Sequence, residues 1–468
     1  MVAAVSLFTP LLLGAGLAWA AQPVRAVRAK PAQVVWQQGL ASDEVLLKVV
    51  EGDRRIPVVP GSRVEPLFRR PRADLRADSA AYDPQGRLAD LTTWWRVQTP
   101  PGQAAQVAQA LNQLAWVERA ELALQPAPPP VDLAPETPDL VDEQDYRLAA
   151  PAGLGFAGNE AWPAVDGRNV RVADLEYSWL ATHEDLASTV DAVTWGHDIG
   201  LYDSHGTAVL GLLVAGDNGY GVTGLVPAAS PVVVYPYVDA DTFSIAAAVD
   251  AAAALLQPGD VLLIEQQIFD PRVGTYLPAE WDTAAWDAIS LAVAKGIVVV
   301  EPAANGGQSL DADILLRWFD RSVRDSGAIL VGGGASPESG LAPRTWVQWG
   351  SNYGQRVDLQ AWYDSVATAW TDEHSTVTPD LFLPEDRDPR QGYTSEFGGT
   401  SGASALVAGV CAATNSVAID LHGEPMAPLD LRALLVSTGT PQPADDAAVS
   451  PIGPQPDLQA ALRFGLLP

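Results

Sequence analysis

Four short segments carry side chains that could jointly break an acyl bond, and each lies where a strand ends or a helix begins. The first runs through Asp174 and Glu176 and on to His183-Glu184-Asp185-Leu186. If Val170–Glu176 is a strand, alternation puts Asp174 and Glu176 on one face, with Glu176 nearer the exit. The second is Asp203-Ser204-His205-Gly206-Thr207, entering an apolar, glycine- and alanine-rich helix. In the third, the hydrophobic run from Val298 releases Asn305 into a glycine turn. In the fourth, Gly398-Gly399-Thr400-Ser401 opens a helix of small residues.

These residue types share one chemical purpose. A serine hydroxyl is a weak nucleophile until an imidazole can take its proton, and the imidazole needs a carboxylate to fix its tautomer. Ser401, His205 and either Asp174 or Glu176 supply those parts. The negative oxygen formed on attack needs hydrogen-bond donors. The backbone N–H of Ser401 at a helix N-terminus would be one, and the side-chain amide of Asn305 a second. Each segment alone is a weak signal; their order and setting make the combination specific.

The elements that must position them are legible as strands alternating with helices. Val170–Glu176, Pro231–Pro236, Val261–Glu265 and Ile297–Glu301 read as strands, and Gly206–Gly216, Phe243–Leu256 and Asp282–Lys295 as helices. Such alternation predicts an α/β fold, a parallel sheet flanked by helices with its site at the carboxyl ends of the strands. A small α+β domain is expected before it. Val45–Val50, Leu91–Val97 and Val117–Leu122 read as strands, and Gln103–Leu114 as a helix with Val107, Leu111 and Leu114 on one side. Between the two lies Gln125-Pro126-Ala127-Pro128-Pro129-Pro130-Val131, which neither helix nor sheet interior accepts.

Charge divides the chain in the same way. Residues 21–140 hold 14 Lys+Arg and 14 Asp+Glu, so the whole net charge of −29 falls on residues 141–468. An acidic body repels nucleic acid and anionic membranes, so neither is expected as a partner. Residues 1–20 carry no charged side chain and end in Ala18-Trp19-Ala20, the small-x-small form of a signal-peptidase site. Residues 1–20 are therefore predicted to be a signal peptide and the protein to be secreted. A membrane anchor is the alternative, although Pro10, Gly14 and Gly16 interrupt the run. No later segment reads as a membrane span. Cys411 is the single cysteine, which rules out an intrachain disulfide.

The four segments, in the order carboxylate, histidine, asparagine, serine, resemble those of the subtilisin-like serine peptidases, family S8. The similarity runs from about Tyr146 to Leu467. It includes Asn218-Gly219-Tyr220-Gly221-Val222-Thr223-Gly224 after the histidine helix and Ser351-Asn352-Tyr353-Gly354 before the serine. The resemblance implies a secreted serine endopeptidase that forms an acyl-enzyme on polypeptide substrates. It also implies a prosegment that chaperones folding, inhibits, and is removed by self-processing. Expected domains are the signal peptide 1–20, the propeptide 21–124, a Pro-rich linker 125–145 and the catalytic domain 146–468. A monomer is expected, with no cofactor needed for the chemistry and no membrane contact once the signal is removed.

Three departures from the family pattern stand out. The family's acid is an aspartate; here its place falls on Glu176, because a His-x-x-Leu element follows seven residues on, at His183. Asp174 is the rival. Leu263-Ile264-Glu265-Gln266-Gln267 replaces the usual Ser-Leu-Gly of the substrate cleft, so side-chain preference does not transfer. Glu301-Pro302-Ala303-Ala304-Asn305 alters the usual Ala-Ala-Gly-Asn but keeps the asparagine.

The remaining candidates have plainer readings. His183 and His197 are expected to be structural, Cys411 and Ser404 to be packed, and Trp94-Trp95 to be core or domain-contact residues. His183-Glu184 lacks the second histidine of a zinc motif. Asp217, Asn218 and the loop Pro384–Asp388 could offer oxygens to calcium, but their spacing brings no set together, so the question of a metal stays open. The competing functional class is an inactive binding protein on the same fold. An esterase of the Gly-x-Ser-x-Gly type would have its histidine last in the chain, the reverse of the order here. A Glu/Asp acid peptidase is disfavoured by the intact His205-Gly206-Thr207.

Overall fold

The computed structural model describes residues 30–37, 40–53, 55–82, 89–124, 137–158, 162–189, 192–348, 350–371, 379–385 and 387–466. The predicted signal peptide and the Pro-rich run at 125–131 lie outside them. Contacts divide the chain into two compact units, Met1–Asp132 and Leu133–Pro468.

The first unit is a four-stranded antiparallel sheet in the order β2 (Arg63–Pro66), β3 (Trp94–Gln98), β1 (Leu40–Val49), β4 (Val117–Leu124). Alternate residues of β1, namely Val45, Leu47 and Val49, join Trp95, Val97, Ala120 and Leu122 in its core. Helix α2 (Ala104–Asn112) closes that core through Ala104, Ala108 and Leu111, one helical face. Helix α1 (Arg72–Tyr82) precedes β3. Leu91–Thr93, read as the start of a strand, forms a 3-10 turn instead, because the Asp90 side chain accepts the Thr92 N–H. The strand begins at Trp94.

The second unit holds a seven-stranded parallel sheet in the order β15, β14, β13, β10, β5, β7, β6. Its strands are β5 (Arg171–Leu175), β6 (Val193–Trp195), β7 (Ser230–Val234), β10 (Val261–Ile264), β13 (Val298–Pro302), β14 (Ile329–Gly334) and β15 (Leu359–Trp362). Among the described residues, three two-stranded antiparallel ribbons accompany it: β8 (Tyr237–Asp239) with β9 (Thr242–Phe243), β11 (Gln267–Asp270) with β12 (Thr275–Pro278), and β16 (Val366–Trp370) with β17 (Gly392–Phe397).

Alternation along the strands sorts the core into two layers. Val172, Val233, Val261, Leu263, Val298 and Val300 face helices α3 (Asp203–Val214) and α6 (Gly399–His422). Ala173, Leu175, Val232, Val234, Leu262 and Val299 face α4 (Ile245–Leu255) and α5 (Thr283–Ala294). The helices carrying His205 and Ser401 therefore pack on the same side of the sheet. Contrary to expectation, one later segment, helix α6, is long and apolar enough to cross a membrane, but 94% of its most apolar stretch is buried in protein.

Residues 137–145, read as linker, pack into the second unit. Leu140 N–H donates to Gly221 O at 2.7 Å, and the Gln144 amide bonds Thr223 through both its oxygen and its nitrogen. A buried, doubly bonded glutamine anchors what composition alone marks as a connector.

Candidate active site

Glu176, His205, Asn305 and Ser401 line one cleft of about 500 Å³ at the carboxyl end of the sheet, with Tyr177, Tyr202, Glu265, Gln266, Gln267, Tyr276, Pro302 and Thr400. The His205 imidazole meets the Glu176 carboxylate at 2.8 Å, Nδ1 to Oε2. Glu176 is buried while the His205 side chain is 34% exposed, so one ring nitrogen is fixed inside and the ring edge reaches the cleft. That contact needs close packing between the chain leaving β5 and the start of α3. A Cβ on Gly206 would lie 2.2 Å from Ser178 O and 2.7 Å from Glu176 Cγ, so only glycine fits there. Thr207 fastens the junction by accepting Leu180 N–H at 2.9 Å and donating to Asp203 O at 2.6 Å.

Asp174 does not reach His205. It shares the face of Glu176, as alternation requires, but neither of its carboxyl oxygens has a hydrogen-bond partner. Burial, followed by the charges of Glu176 and Glu265, drives it well above the usual carboxylate range. It lies two residues deeper in the sheet than Glu176, where burial disfavours its charged form.

Burial works against a charge on His205, but Glu176, by charge and by hydrogen bond, and then Glu265 by charge outweigh it and push the imidazole up to about 9. The ring also stands edge-on to Phe397, with centroids 5.5 Å apart. On the other side, Tyr177 groups with Tyr202, Tyr237 and Phe243 into an aromatic wall next to the cleft. Burial first, then the Glu176 charge, pushes the Tyr177 phenol up to about 12.

Asn305 is oriented by Thr400. Its Oδ1 accepts both the Thr400 N–H at 3.0 Å and the Thr400 hydroxyl at 3.1 Å, which commits the amide nitrogen to the opposite direction. Gly399 makes this approach possible, with φ +72 at the first residue of α6. Ser401 stands in the first turn of that helix, where backbone N–H groups have no partner one turn back.

The residue before Asn305 is strained. Ala304 has φ 73 where the family pattern has glycine, and it is held there by Asn352 N–H on its carbonyl at 2.9 Å and by Gln267 Oε1 on Asn305 N–H at 3.0 Å. A left-handed alanine costs roughly 1–2 kcal/mol, part of which glycine gives back through a freer unfolded chain. Ala304→Gly is expected to raise unfolding stability by about 1 kcal/mol in a denaturant titration.

The other sequence candidates fall outside the cleft. His183 is buried, its Nε2 2.9 Å from Gly392 O, and burial pushes it down to about 4. His197 is exposed, and Cys411 is fully buried with its thiol pushed up by burial. Asn218 turns its amide nitrogen to Asp185 at 2.8 Å, and among the described residues no three His, Cys, Asp or Glu side chains gather as metal ligands. Ser404, expected only to pack, has its Oγ 2.7 Å from Glu265 Oε1. Sequence reasoning gave neither Glu265 nor Thr400 a part in the site. Thr400 was visible in the serine motif, and Glu265 in the altered cleft segment.

The subtilase (Peptidase S8) family model matches residues 167–453, more than half of the chain, and the protein belongs to that family of serine proteases. Among solved structures it is similar to a protease from Pseudoalteromonas arctica, at 19% identity and a TM-score of 0.50, covering 70% of this chain and 99% of that one. It is also similar to fervidolysin from Fervidobacterium pennivorans, described as a keratinolytic enzyme related to subtilisin. That match has 16% identity and a TM-score of 0.50, covering 94% of this chain and 63% of the other. At such identities the likeness establishes the fold. No curated protein sequence matches the chain.

Proposed function

We propose that the protein is a secreted serine endopeptidase, made as a proenzyme that cuts off its own N-terminal unit, and that it hydrolyses polypeptides through an acyl-enzyme. The observation that carries this reading is the 2.8 Å Glu176–His205 bond in the cleft that Ser401 and Asn305 also line. Ser401 Oγ attacks the peptide carbonyl carbon while its proton passes to His205 Nε2. Glu176 holds the Nδ1 proton and so presents Nε2 as the base. The carbonyl oxygen, now negative, takes hydrogen bonds from Asn305 Nδ2 and Ser401 N–H. The same proton then goes to the leaving amine as the C–N bond breaks, and water repeats the sequence to release the acid.

Every group in this scheme belongs to the chain, so no cofactor is assigned to the chemistry. Polypeptide substrates and the N-terminal unit itself are the partners, and the working form is a monomer outside the cell. Labelling of Ser401 by a fluorophosphonate tests the reading. A protein that folds but takes no label would be an inactive binding protein instead. Asn305→Ala is expected to lower kcat by about 10²–10³-fold with KM little changed, because the donor acts on charge present only after attack. An unchanged kcat on a peptide substrate would remove Asn305 from the scheme.

A further inference from the structure

A second carboxyl group lines the cleft beside the serine. Glu265 follows directly on β10, and alternation turns it to the same side as Val261 and Leu263, toward α3 and α6. It is 5% exposed and lines the cleft beside His205 and Ser401. Its Oε1 accepts the Ser404 hydroxyl at 2.7 Å, one helical turn from Ser401. Its Oε2 has no hydrogen-bond partner. A buried carboxyl group with one oxygen unmatched is costly to keep, and packing alone would favour an apolar side chain.

The groups facing Glu265 can be named element by element. From β5 and the residue after it come Asp174 and Glu176, and from α3 comes His205. From α6 come the Ser401 and Ser404 hydroxyls. Asp203, at the start of α3, accepts Ser204 N–H. On the neighbouring strand β13, Glu301 Oε2 accepts the Glu280 N–H at 3.1 Å instead. The site therefore places two ionisable carboxyl groups against one imidazole, where orienting the tautomer needs only one.

We propose that Glu265 is a positioning residue: held by Ser404 at the cleft wall, its charge stabilises the His205 imidazolium and so sets the pH range over which Ser401 is activated. The proposal rests on the reading of Ser401 as nucleophile and His205 as base. In the attack itself the serine proton still goes to His205 Nε2, and Glu265 neither gains nor loses one. Its effect comes before attack, since an imidazole that already holds a proton cannot take another. Burial pushes Glu265 up to about 8, partly offset by the His205 charge, and the imidazole stands near 9, so the two groups titrate close together.

The test is the pH dependence of inactivation by a fluorophosphonate, compared between the wild-type enzyme and Glu265→Gln. Glutamine keeps the shape and can still bond Ser404, but it carries no charge. In the wild type the acid limb is expected above the ordinary imidazole value of about 6.5. In Glu265→Gln it is expected to move down by roughly one pH unit, because the charge favouring the imidazolium is gone. A purely structural role would lower the rate or the stability at every pH and leave the limb in place. An unmoved limb in a labelled Glu265→Gln overturns the proposal. So does a wild-type limb at or below about 6.5, the ordinary value, which needs no variant to fold. If the wild type is not labelled at any pH, the reading of Ser401 itself falls, and that outcome cannot be mistaken for the others.

Discussion

Ser401→Ala is expected to lower kcat on peptide substrates by on the order of a millionfold, the size found for a nucleophile acting with its base in another subtilase. The hydroxyl supplies the attacking atom, and neither Thr400 nor Ser404 can replace it. Thr400 is tied to Asn305 through its hydroxyl, and Ser404 is turned to Glu265 one helical turn deeper. What remains after the substitution is binding and the oxyanion donors, worth a residual of roughly 10³–10⁴-fold over water. On the proposed reading the same variant leaves the N-terminal unit attached, so the intact chain persists by mass. Peptide hydrolysis or self-cleavage continuing at the wild-type rate would place the nucleophile elsewhere.

The second large effect separates two carboxyl groups two residues apart. Glu176→Gln is expected to reduce kcat by about 10⁴-fold, because an amide can offer its nitrogen to the ring and stabilise the wrong tautomer. Asp174→Asn is expected to change kcat less than about threefold, since that carboxyl is buried, bonds nothing and has its charged form disfavoured by burial. Measuring both variants against one peptide decides the matter. A large loss in Asp174→Asn with a small one in Glu176→Gln would exchange their roles.

The parallel sheet was legible because its strands are short β-branched runs bounded by turns, and Val298–Pro302 and Val261–Ile264 fall within a residue or so of expectation. Strand Ile329–Gly334 was not, because it ends in three glycines. A Cβ on Gly332, Gly333 or Gly334 would strike Ile452, Tyr363 or Gln360, so crowding by neighbours distant in sequence imposes the glycines. Hairpin β16–β17 escaped for another reason: its strands are joined by residues 371–391, far longer than the two- to five-residue loops that mark a hairpin in sequence. Strand Arg63–Pro66 and helix Arg72–Tyr82 show little apolar periodicity to find.

The site divides in the same manner. Motif order marked out Ser401, His205 and Asn305, and strand alternation put Asp174 and Glu176 on one face. Which carboxyl meets the ring depends on where the strand ends relative to helix α3, a tertiary distance. The part of Glu265 could not be read in advance, because its contact with Ser404 joins residues 139 positions apart.

The grip of Thr400 on Asn305 has a last consequence. In water, a dipole must swing round to meet new negative charge, and that reorganisation makes up much of the barrier. Here the residue beside the attacking hydroxyl has already turned the amide, so solvation of the anion is built in before substrate arrives. Loosening this tether would slow the reaction while leaving every reacting group in place.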